Sequence, residues 1–145
     1  MLLWVVVQAV LFVVYGAALY GSPSGEWGFW RWLGVPMLAG AVILLAPSVW
    51  AHGRKLTPLP EPNPRLGLLQ TGVYASIRHP MYLGLMLLTL GLAIFTMKSG
   101  ALGAALALVV FFNLKAREEE RRLLRCYPEY ADYMRRTGRF LPRWR

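Results

Sequence analysis

The chain has 145 residues, of which 57% are hydrophobic, and its 16 Lys and Arg against 7 Asp and Glu give a formal net charge of +9. This length accommodates one domain, and so apolar a composition excludes an ordinary soluble protein. Several uncharged apolar runs approach the roughly 20 residues that span a bilayer, so the positive charge indicates an anionic membrane surface or ligand rather than nucleic acid. The single Cys126 excludes a disulfide within the chain and a cysteine-based metal site, and we expect no metal.

The first half of the chain predicts two membrane spans. The first covers residues 2–20, with Gln8 as its only strongly polar residue, and it is longer than a signal-peptide core, so we expect it to be retained. The second covers residues 32–51, where Pro47 predicts a kink or an early stop. The alternating prolines of residues 56–65 then predict an extended connector.

The second half predicts a helical hairpin and a tail. Spans over residues 80–97 and 101–114 are joined by a tight turn at residues 98–100, and the small residues that begin the fourth span favour close packing of the two. One further helix is predicted over residues 115–136. The sequence therefore predicts a single all-α integral membrane domain with about four transmembrane helices and a C-terminal cytoplasmic helix. Its parts are an N-terminal helix pair (1–51), a cytoplasmic loop (52–79), the hairpin (80–114) and a cytoplasmic tail (115–145).

The distribution of basic residues predicts an orientation. Four Lys and Arg lie in the loop and ten follow Leu114, whereas only Arg31 and Lys98 lie on the other side. The positive-inside rule then puts both termini, the proline-rich loop and the start of the third span in the cytoplasm.

A polar corner, Arg78-His79-Pro80, lies where the loop meets the third span. Pro80 suits the first turn of a helix and disfavours helical backbone at His79, so the helix is expected to begin at Pro80. The free N–H groups of that first turn favour an anion, which makes the corner a candidate cofactor site. The alternative is that Arg78 and His79 only anchor the helix at the lipid headgroups.

Five of the seven acidic residues lie in the tail. Residues three or four apart share a helix face, so Arg117 is expected to pair with Glu120, and Glu118 with Arg122. Glu119 and Glu120 lie about one turn beyond the fourth span, where carboxylates are often buried or functional. Tyr130 and Tyr133 are expected on one face, as membrane anchors or as a lid over a pocket.

The corner and the glutamate pair together form a signature. Arg78-His79-Pro80-Met81-Tyr82-Leu83-Gly84 followed by Glu119-Glu120 resembles the Arg-His-Pro-x-Tyr-x-Gly … Glu-Glu motif of the isoprenylcysteine carboxyl methyltransferases and the related phospholipid methyltransferases. The resemblance extends upstream to residues 71–74 and downstream to Arg139-Phe140-Leu141-Pro142. It covers about residues 66–142 and does not extend to the first two spans.

This resemblance implies a membrane-embedded enzyme that uses S-adenosylmethionine to methylate a lipophilic substrate. The residues that it places in the cofactor pocket are Gly72, Tyr74, Arg78, His79, Pro80, Tyr82, Gly84 and Glu119. It places Arg117 and Glu120 nearest the reacting centre as catalytic residues. Arg117 suits a substrate carboxylate or phosphate, and Glu120 suits orienting Arg117 or acting as a general base toward an amine.

Several functions remain open on the sequence. Carboxyl methylation of the isoprenylcysteine type is the first, and phospholipid N-methylation of the phosphatidylethanolamine type is the alternative. A membrane reductase that uses NADPH also has a similar corner, although the glutamate pair argues against it. A non-catalytic membrane protein whose basic tail binds anionic lipid is the last. The partners expected are membrane lipids and a lipophilic or lipid-modified substrate, with no nucleic acid.

Overall fold

The computed structural model describes residues 2–52 and 68–143 of the chain. In order, these form α1 (Leu2–Gly21), a 3-10 turn (Gly28–Leu33) that leads directly into α2 (Gly34–His52), and a second 3-10 turn (Gly72–Ala75). The helices α3 (Pro80–Phe95), α4 (Ser99–Cys126) and α5 (Tyr130–Arg136) follow. The predicted all-α fold is confirmed, and the predicted proline-rich connector falls outside the described residues.

Three of the helical stretches, Leu2–Gly21, Gly28–Ala51 and Ser99–Cys126, are long and apolar enough to cross a membrane. The fourth, α3, is an apolar helix of 16 residues, so it rises about 24 Å, somewhat less than a bilayer core. Together they form the multi-pass integral membrane fold that the sequence predicts. Pro47 does not end α2, which continues to His52.

The four long helices lie side by side in the order α2, α3, α4, α1, with antiparallel neighbours. The core lies between α1, α3 and α4, around the fully buried Leu108 and Phe112. The hydroxyl of Tyr15 in α1 donates to the carbonyl of Thr89 in α3 at 2.8 Å. The predicted packing of α3 against α4 is confirmed, although the most extensive helix contact is between α2 and α3.

Glycines bring α2 and α3 close together. A Cβ atom at Gly91 would lie 3.0 Å from the carbonyl oxygen of Gly34, and one at Gly84 would lie 2.6 Å from Cγ of Leu45. Small residues permit this approach of two helix backbones within a membrane. Gly84 therefore packs against α2.

Two predicted boundaries were wrong. The turn after α3 covers residues 96–98, with Met97 at a positive φ of 57°, and α4 already begins at Ser99. The helix predicted over residues 115–136 is two helices, because α4 ends at Cys126 and α5 begins at Tyr130. Pro128 explains the break, since it disfavours helical backbone at Tyr127, which is extended at φ −132° and ψ 104°. Cys126, the last residue of α4, is exposed, so its thiol does not pack in the core.

The segment after α5 lies along the residues that precede α3. The N–H of Arg78 donates to the carbonyl of Gly138 at 2.9 Å, and the N–H of Gly138 donates to Ser76 at 3.1 Å. The N–H of His79 donates to the carbonyl of Arg139 at 3.1 Å. This short parallel bridge fixes the Arg78-His79 corner against residues 137–140.

Candidate active site

Glu120 lies buried where three segments meet: the corner before α3, the C-terminal part of α4, and the residues after α5. Its side chain is only 4% exposed. Oε1 accepts a hydrogen bond from Nε of Arg78 at 2.9 Å, and Oε2 accepts two from Arg139, at 3.0 and 2.5 Å. Nη1 of Arg78 also donates to the carbonyls of Met134 and Thr137. Because separating these segments would leave a buried carboxylate without its charge-assisted hydrogen bonds, Glu120 holds the three segments together.

His79 lies between the two glutamates and three aromatic rings. Its side chain is 9% exposed, with Nδ1 3.7 Å from Oε2 of Glu119 and Nε2 3.4 Å from Oε1 of Glu120. Its ring stacks on Tyr82 at a centroid distance of 5.4 Å and lies 6.2 Å from the ring of Phe140. Within the described part of the chain, Nε2 has no hydrogen-bond partner. Nε2 thus faces Oε1 of Glu120 at ion-pair distance without meeting hydrogen-bond geometry.

Tyr82 links this histidine to the membrane core. Its ring stacks on Phe112 at 5.0 Å, and its hydroxyl lies within hydrogen-bonding reach of Glu119. Nζ of Lys115 lies 5.4 Å from the centre of the same ring and donates to Oε1 of Gln8 at 2.6 Å. The site is thus a column of rings between an acidic and a cationic group.

Tyr74 and Tyr133 support the site from the side of α5. The hydroxyl of Tyr133 donates to the carbonyl of Tyr74 at 2.6 Å, and the hydroxyl of Tyr74 bonds to Ser48 in α2. Burial raises the pKa of Tyr74 to about 12 and the pKa of Tyr133 to about 12, so both stay neutral hydrogen-bond donors at physiological pH. Tyr130 packs beside Tyr133 on the same buried face of α5, as predicted.

Arg139 remains a cation in this setting. Its hydrogen bonds to Glu120 raise the pKa of its guanidinium above the ordinary value. The positive charge that balances Glu120 therefore persists across the physiological pH range.

The structure brings most of the predicted site residues together. Arg78, His79, Tyr82, Glu119 and Glu120 form one contiguous cluster. Pro80 begins α3, as predicted, and His79 immediately precedes it without a side-chain capping hydrogen bond. Tyr74 lies near enough to interact electrostatically with Glu119.

Three predicted residues lie apart from this cluster. Gly72 adopts a positive φ of 60° in the turn before Tyr74, Gly84 faces Leu45 of α2, and Arg117 is exposed on α4. Their roles in binding or catalysis stay predictions.

The predicted Arg117–Glu120 ion pair is wrong. Arg117 lies on the exposed side of α4, whereas Glu120 faces inward, where arginines from two other segments occupy both of its oxygens. The predicted pair of Glu118 with Arg122 is confirmed at 3.0 Å.

Sequence reasoning gave no role to Lys115, Gln8 or Arg139. Lys115 shares a helix face with Phe112 and Glu119, a spacing that was visible in the sequence. Gln8 is a polar residue in an otherwise apolar span, which usually indicates a buried partner. The contact of Arg139 with Glu120 depends on the path of the chain after the turn at Pro128, and the sequence does not specify that path.

Comparison with known proteins gives the family. A family model described as phospholipid methyltransferase matches residues 29–130. The cobalt-zinc-cadmium resistance protein CzcN of Cupriavidus metallidurans is 41% identical over 78 residues, which cover 52% of this chain and 36% of that protein. The nickel-cobalt-cadmium resistance protein NccN of Alcaligenes xylosoxydans xylosoxydans is 36% identical over 98 residues, which cover 66% of this chain and 41% of that protein. The chain thus spans well under half the length of these curated relatives.

A solved structure has the same fold. The eukaryotic intramembrane Ras methyltransferase ICMT (isoprenylcysteine carboxyl methyltransferase) matches with a TM-score of 0.69 and 23% identity, over 94% of this chain and 51% of that one. The family model covers most of the described helices and ends at Tyr130, just beyond the glutamate pair. The chain belongs to the phospholipid methyltransferase family and has the fold of the intramembrane Ras methyltransferase.

Proposed function

We propose that the chain is an S-adenosylmethionine-dependent methyltransferase that acts on a lipophilic substrate held in the membrane. The observation that carries this proposal is the cluster of His79, Tyr82 and Glu119 at the end of the apolar helices, where the buried ring of His79 stacks on Tyr82 and faces Glu119. Membership of the phospholipid methyltransferase family supports it.

The groups in the cluster fit this cofactor. The carboxylate of Glu119 suits the amino or ribose hydroxyl groups of the cofactor. The N-terminal end of α3, next to His79, suits its carboxylate. The ring of Tyr82 suits a cationic sulfur, a contact that contributes about 0.5–2 kcal/mol. When bound, the cofactor supplies an electrophilic methyl group to a nucleophile on the substrate. The residues of this chain then orient the two reactants and exclude water from them.

Glu120 acts in this proposal as a positioning residue. Both of its oxygens accept hydrogen bonds from Arg78 and Arg139, so its role is to hold these arginines and the corner in place. Arg117 is exposed on α4, apart from the cluster, and its proposed contact with an anionic group of the substrate rests on the resemblance and on the chemistry of the guanidinium.

The substrate that we propose is a lipophilic carboxylate of the isoprenylcysteine type, and a phospholipid amine is the alternative. A carboxylate is already ionised at neutral pH and needs no base, whereas a protonated amine does. Transfer of a radiolabelled methyl group to membrane lipids distinguishes the two products. A methyl ester releases labelled methanol in alkali, and an N-methyl group does not.

The same cluster has an orientation in this proposal. Because the loop and tail carry most of the basic residues, we place the site and both termini of the chain on the cytoplasmic side. The substrate's lipid chain would approach from the bilayer, along the apolar faces of α3 and α4.

The names of two relatives refer to metal resistance. The residues that the structure describes include no group of three or more His, Cys, Asp or Glu that could hold a metal ion. Our proposal for this chain concerns methyl transfer at the His79–Tyr82–Glu119 cluster.

Calorimetric titration of the purified protein with S-adenosylhomocysteine and with NADPH tests the proposal. We expect micromolar or tighter binding of S-adenosylhomocysteine, lost in Tyr82→Ala and in Glu119→Ala but kept in Glu118→Ala, which changes the neighbouring exposed pair. Binding of NADPH alone would indicate a reductase. Binding of neither would indicate a non-catalytic protein.

A further inference from the structure

A second cationic feature lies beside Glu120, on the side of α5. It is an open cleft of about 430 Å³ whose lining includes the four arginines 78, 135, 139 and 143, and we call it the arginine cleft. Arg78 is buried at 8% side-chain exposure and Arg139 is 28% exposed, so these two form the floor. Arg135 and Arg143 are exposed and form the rim.

The arginine cleft keeps an excess of positive charge. Two carboxylates pair with its arginines: Glu120 with the two of the floor, and Asp132 with Arg135. Four cations against two anions leave an excess of two. Burial of the floor limits screening by solvent and salt, so this charge attracts an anion more strongly than the same charge on a fully solvated surface.

The rim retains free donors. Nη1 of Arg143 donates to the carbonyls of Met134 and Arg135, at 3.3 and 2.9 Å. Within residues 2–52 and 68–143, Nε and Nη2 of Arg143 make no hydrogen bond. The backbone contacts hold the guanidinium across the cleft, which leaves its other edge for a ligand.

The position of the cleft indicates where that ligand lies. Arg78 lines the cleft and lies two residues before the start of α3 at Pro80. The cleft therefore opens at the level where α3 leaves the apolar layer. In a membrane this is the level of the lipid headgroups. A guanidinium fork matches phosphate oxygens in geometry as well as in charge.

We propose that the arginine cleft binds a phosphate group, carried either by an anionic lipid headgroup or by a soluble phosphorylated molecule. This site adjoins the His79–Tyr82–Glu119 cluster through Arg78 and Glu120, whereas its rim residues Arg135 and Arg143 lie outside that cluster, and phosphate binding there does not depend on methyl transfer. Arg135 and Arg143 are its recognition residues, because their donors are not committed to Glu120.

Binding measurements on the purified full chain in neutral detergent test this proposal. The probes are dioctanoyl phosphatidic acid, dioctanoyl phosphatidylcholine and glycerol phosphate, followed by microscale thermophoresis. We expect an anionic probe to bind at least about tenfold more weakly to R135Q/R143Q than to the native chain. The matched control R121Q/R125Q removes the same charge from the exposed part of α4 and is expected to change the affinity by less than about twofold.

The outcomes separate the two sources of phosphate. Preference for phosphatidic acid over both other probes supports a lipid headgroup, and equally tight binding of glycerol phosphate supports a soluble ligand. Equal weakening in both double variants, or binding of no anionic probe, overturns the proposal. R135K/R143K, which keeps the charge without the fork, should bind about threefold or more weaker than the native chain. Native affinity in that variant would overturn recognition by arginine geometry.

Discussion

At the scale of single residues, Glu120 determines how the corner before α3 and the residues after α5 stay together. It is 3% exposed and its charge is balanced by arginines from both segments. Removal of one partner from a buried ion pair leaves the other charge without compensation, which is more destabilising than loss of a surface pair.

Glu120→Gln is therefore expected to destabilise the protein by about 3 kcal/mol, since it leaves Arg78 and Arg139 without a counter-charge. Thermal unfolding in detergent, followed by circular dichroism, measures the loss. Glu118→Gln is the matched control, because that residue pairs with Arg122 at the surface, and its expected cost is below about 1 kcal/mol. Equal losses in the two variants would contradict the central role of Glu120.

Lys115→Met tests whether the ammonium group of Lys115, which lies next to the ring of Tyr82, acts on cofactor binding through its charge or only through its packing. Methionine keeps the length of the side chain but loses the hydrogen bond to Gln8. If the cation competes with the cofactor's cationic sulfur for the ring of Tyr82, affinity for S-adenosylhomocysteine, which lacks that charge, should change by less than about threefold. Affinity for the charged analogue sinefungin should rise instead, and an equal change for both ligands would contradict this expectation.

Single residues were predictable where the signal was local. The corner Arg78-His79-Pro80 and the Glu119-Glu120 pair stand out in the sequence because polar residues interrupt apolar runs. The partner of Glu120 was not predictable, because Arg139 reaches it only through the turn at Pro128. Helix spacing favoured Arg117, and the orientation of the buried face of α4 rules that pairing out.

At the scale of elements, the close contact of α2 and α3 depends on glycines, which have no side chain to keep the two helices apart. Gly84→Ala adds a Cβ that would lie 2.6 Å from Cγ of Leu45. We expect it to destabilise the helix pair by about 1–3 kcal/mol, measured as a fall in the thermal midpoint. Gly84→Ala combined with Leu45→Ala should recover part of that loss, because the obstructing atoms belong to Leu45.

Gly103→Ala is the control for helix propensity. An added Cβ at Gly103 of α4 would meet nothing within 4 Å. The change should be neutral or stabilising by up to about 1 kcal/mol, since alanine favours a helix over glycine. A similar loss at both positions would mean that packing against α2 is not the cause.

The bridge between residues 77 and 138 gives a second test at this scale. A Cβ at Gly138 would overlap the carbonyl of Leu141, so Gly138→Ala should displace the segment that accepts the N–H groups of Arg78 and His79. Hydrogen exchange at these two amides should accelerate by about tenfold or more, while the amides of α3 keep their protection. Unchanged exchange at Arg78 and His79 would show that the segment tolerates the side chain.

Element types followed from apolar runs and proline positions, whereas their ends did not. The start of α3 at Pro80 was predictable because proline specifies the first helical turn. The end of α4 was missed although Pro128 carries the signal, since the charged run before it continues the helical pattern. The close contact of α2 with α3 could not be predicted from the positions of charged residues or prolines, because none of them lies at the contact points that glycines provide.

At the scale of the whole molecule, the two ends of the helical layer differ in charge. Cys126, at the end of α4, lies at the end that carries the candidate site, and Ser24 lies beyond the other end of α1. If the site faces the cytoplasm, an impermeant maleimide should label Cys126 only after the cells are made permeable. Ser24→Cys in a Cys126→Ser background should be labelled in intact cells.

Labelling of Cys126 in intact cells would reverse the proposed orientation. Labelling of both positions in intact cells would mean that the helices do not cross the membrane as a layer.

The whole-molecule architecture was the most predictable level, because bilayer thickness alone dictates long apolar helices.

The bridge from residues 76–79 to residues 138–139 also has a consequence for biosynthesis. A chain that stops anywhere between Cys126 and Arg139 contains every long helix, yet its Glu120 lacks the second arginine. Such a chain keeps the apolar helices that enter a bilayer but cannot complete the ion pairs around Glu120. Premature termination in this interval would yield a membrane-resident but unfinished product, open at its acidic centre and a natural substrate for quality-control proteases.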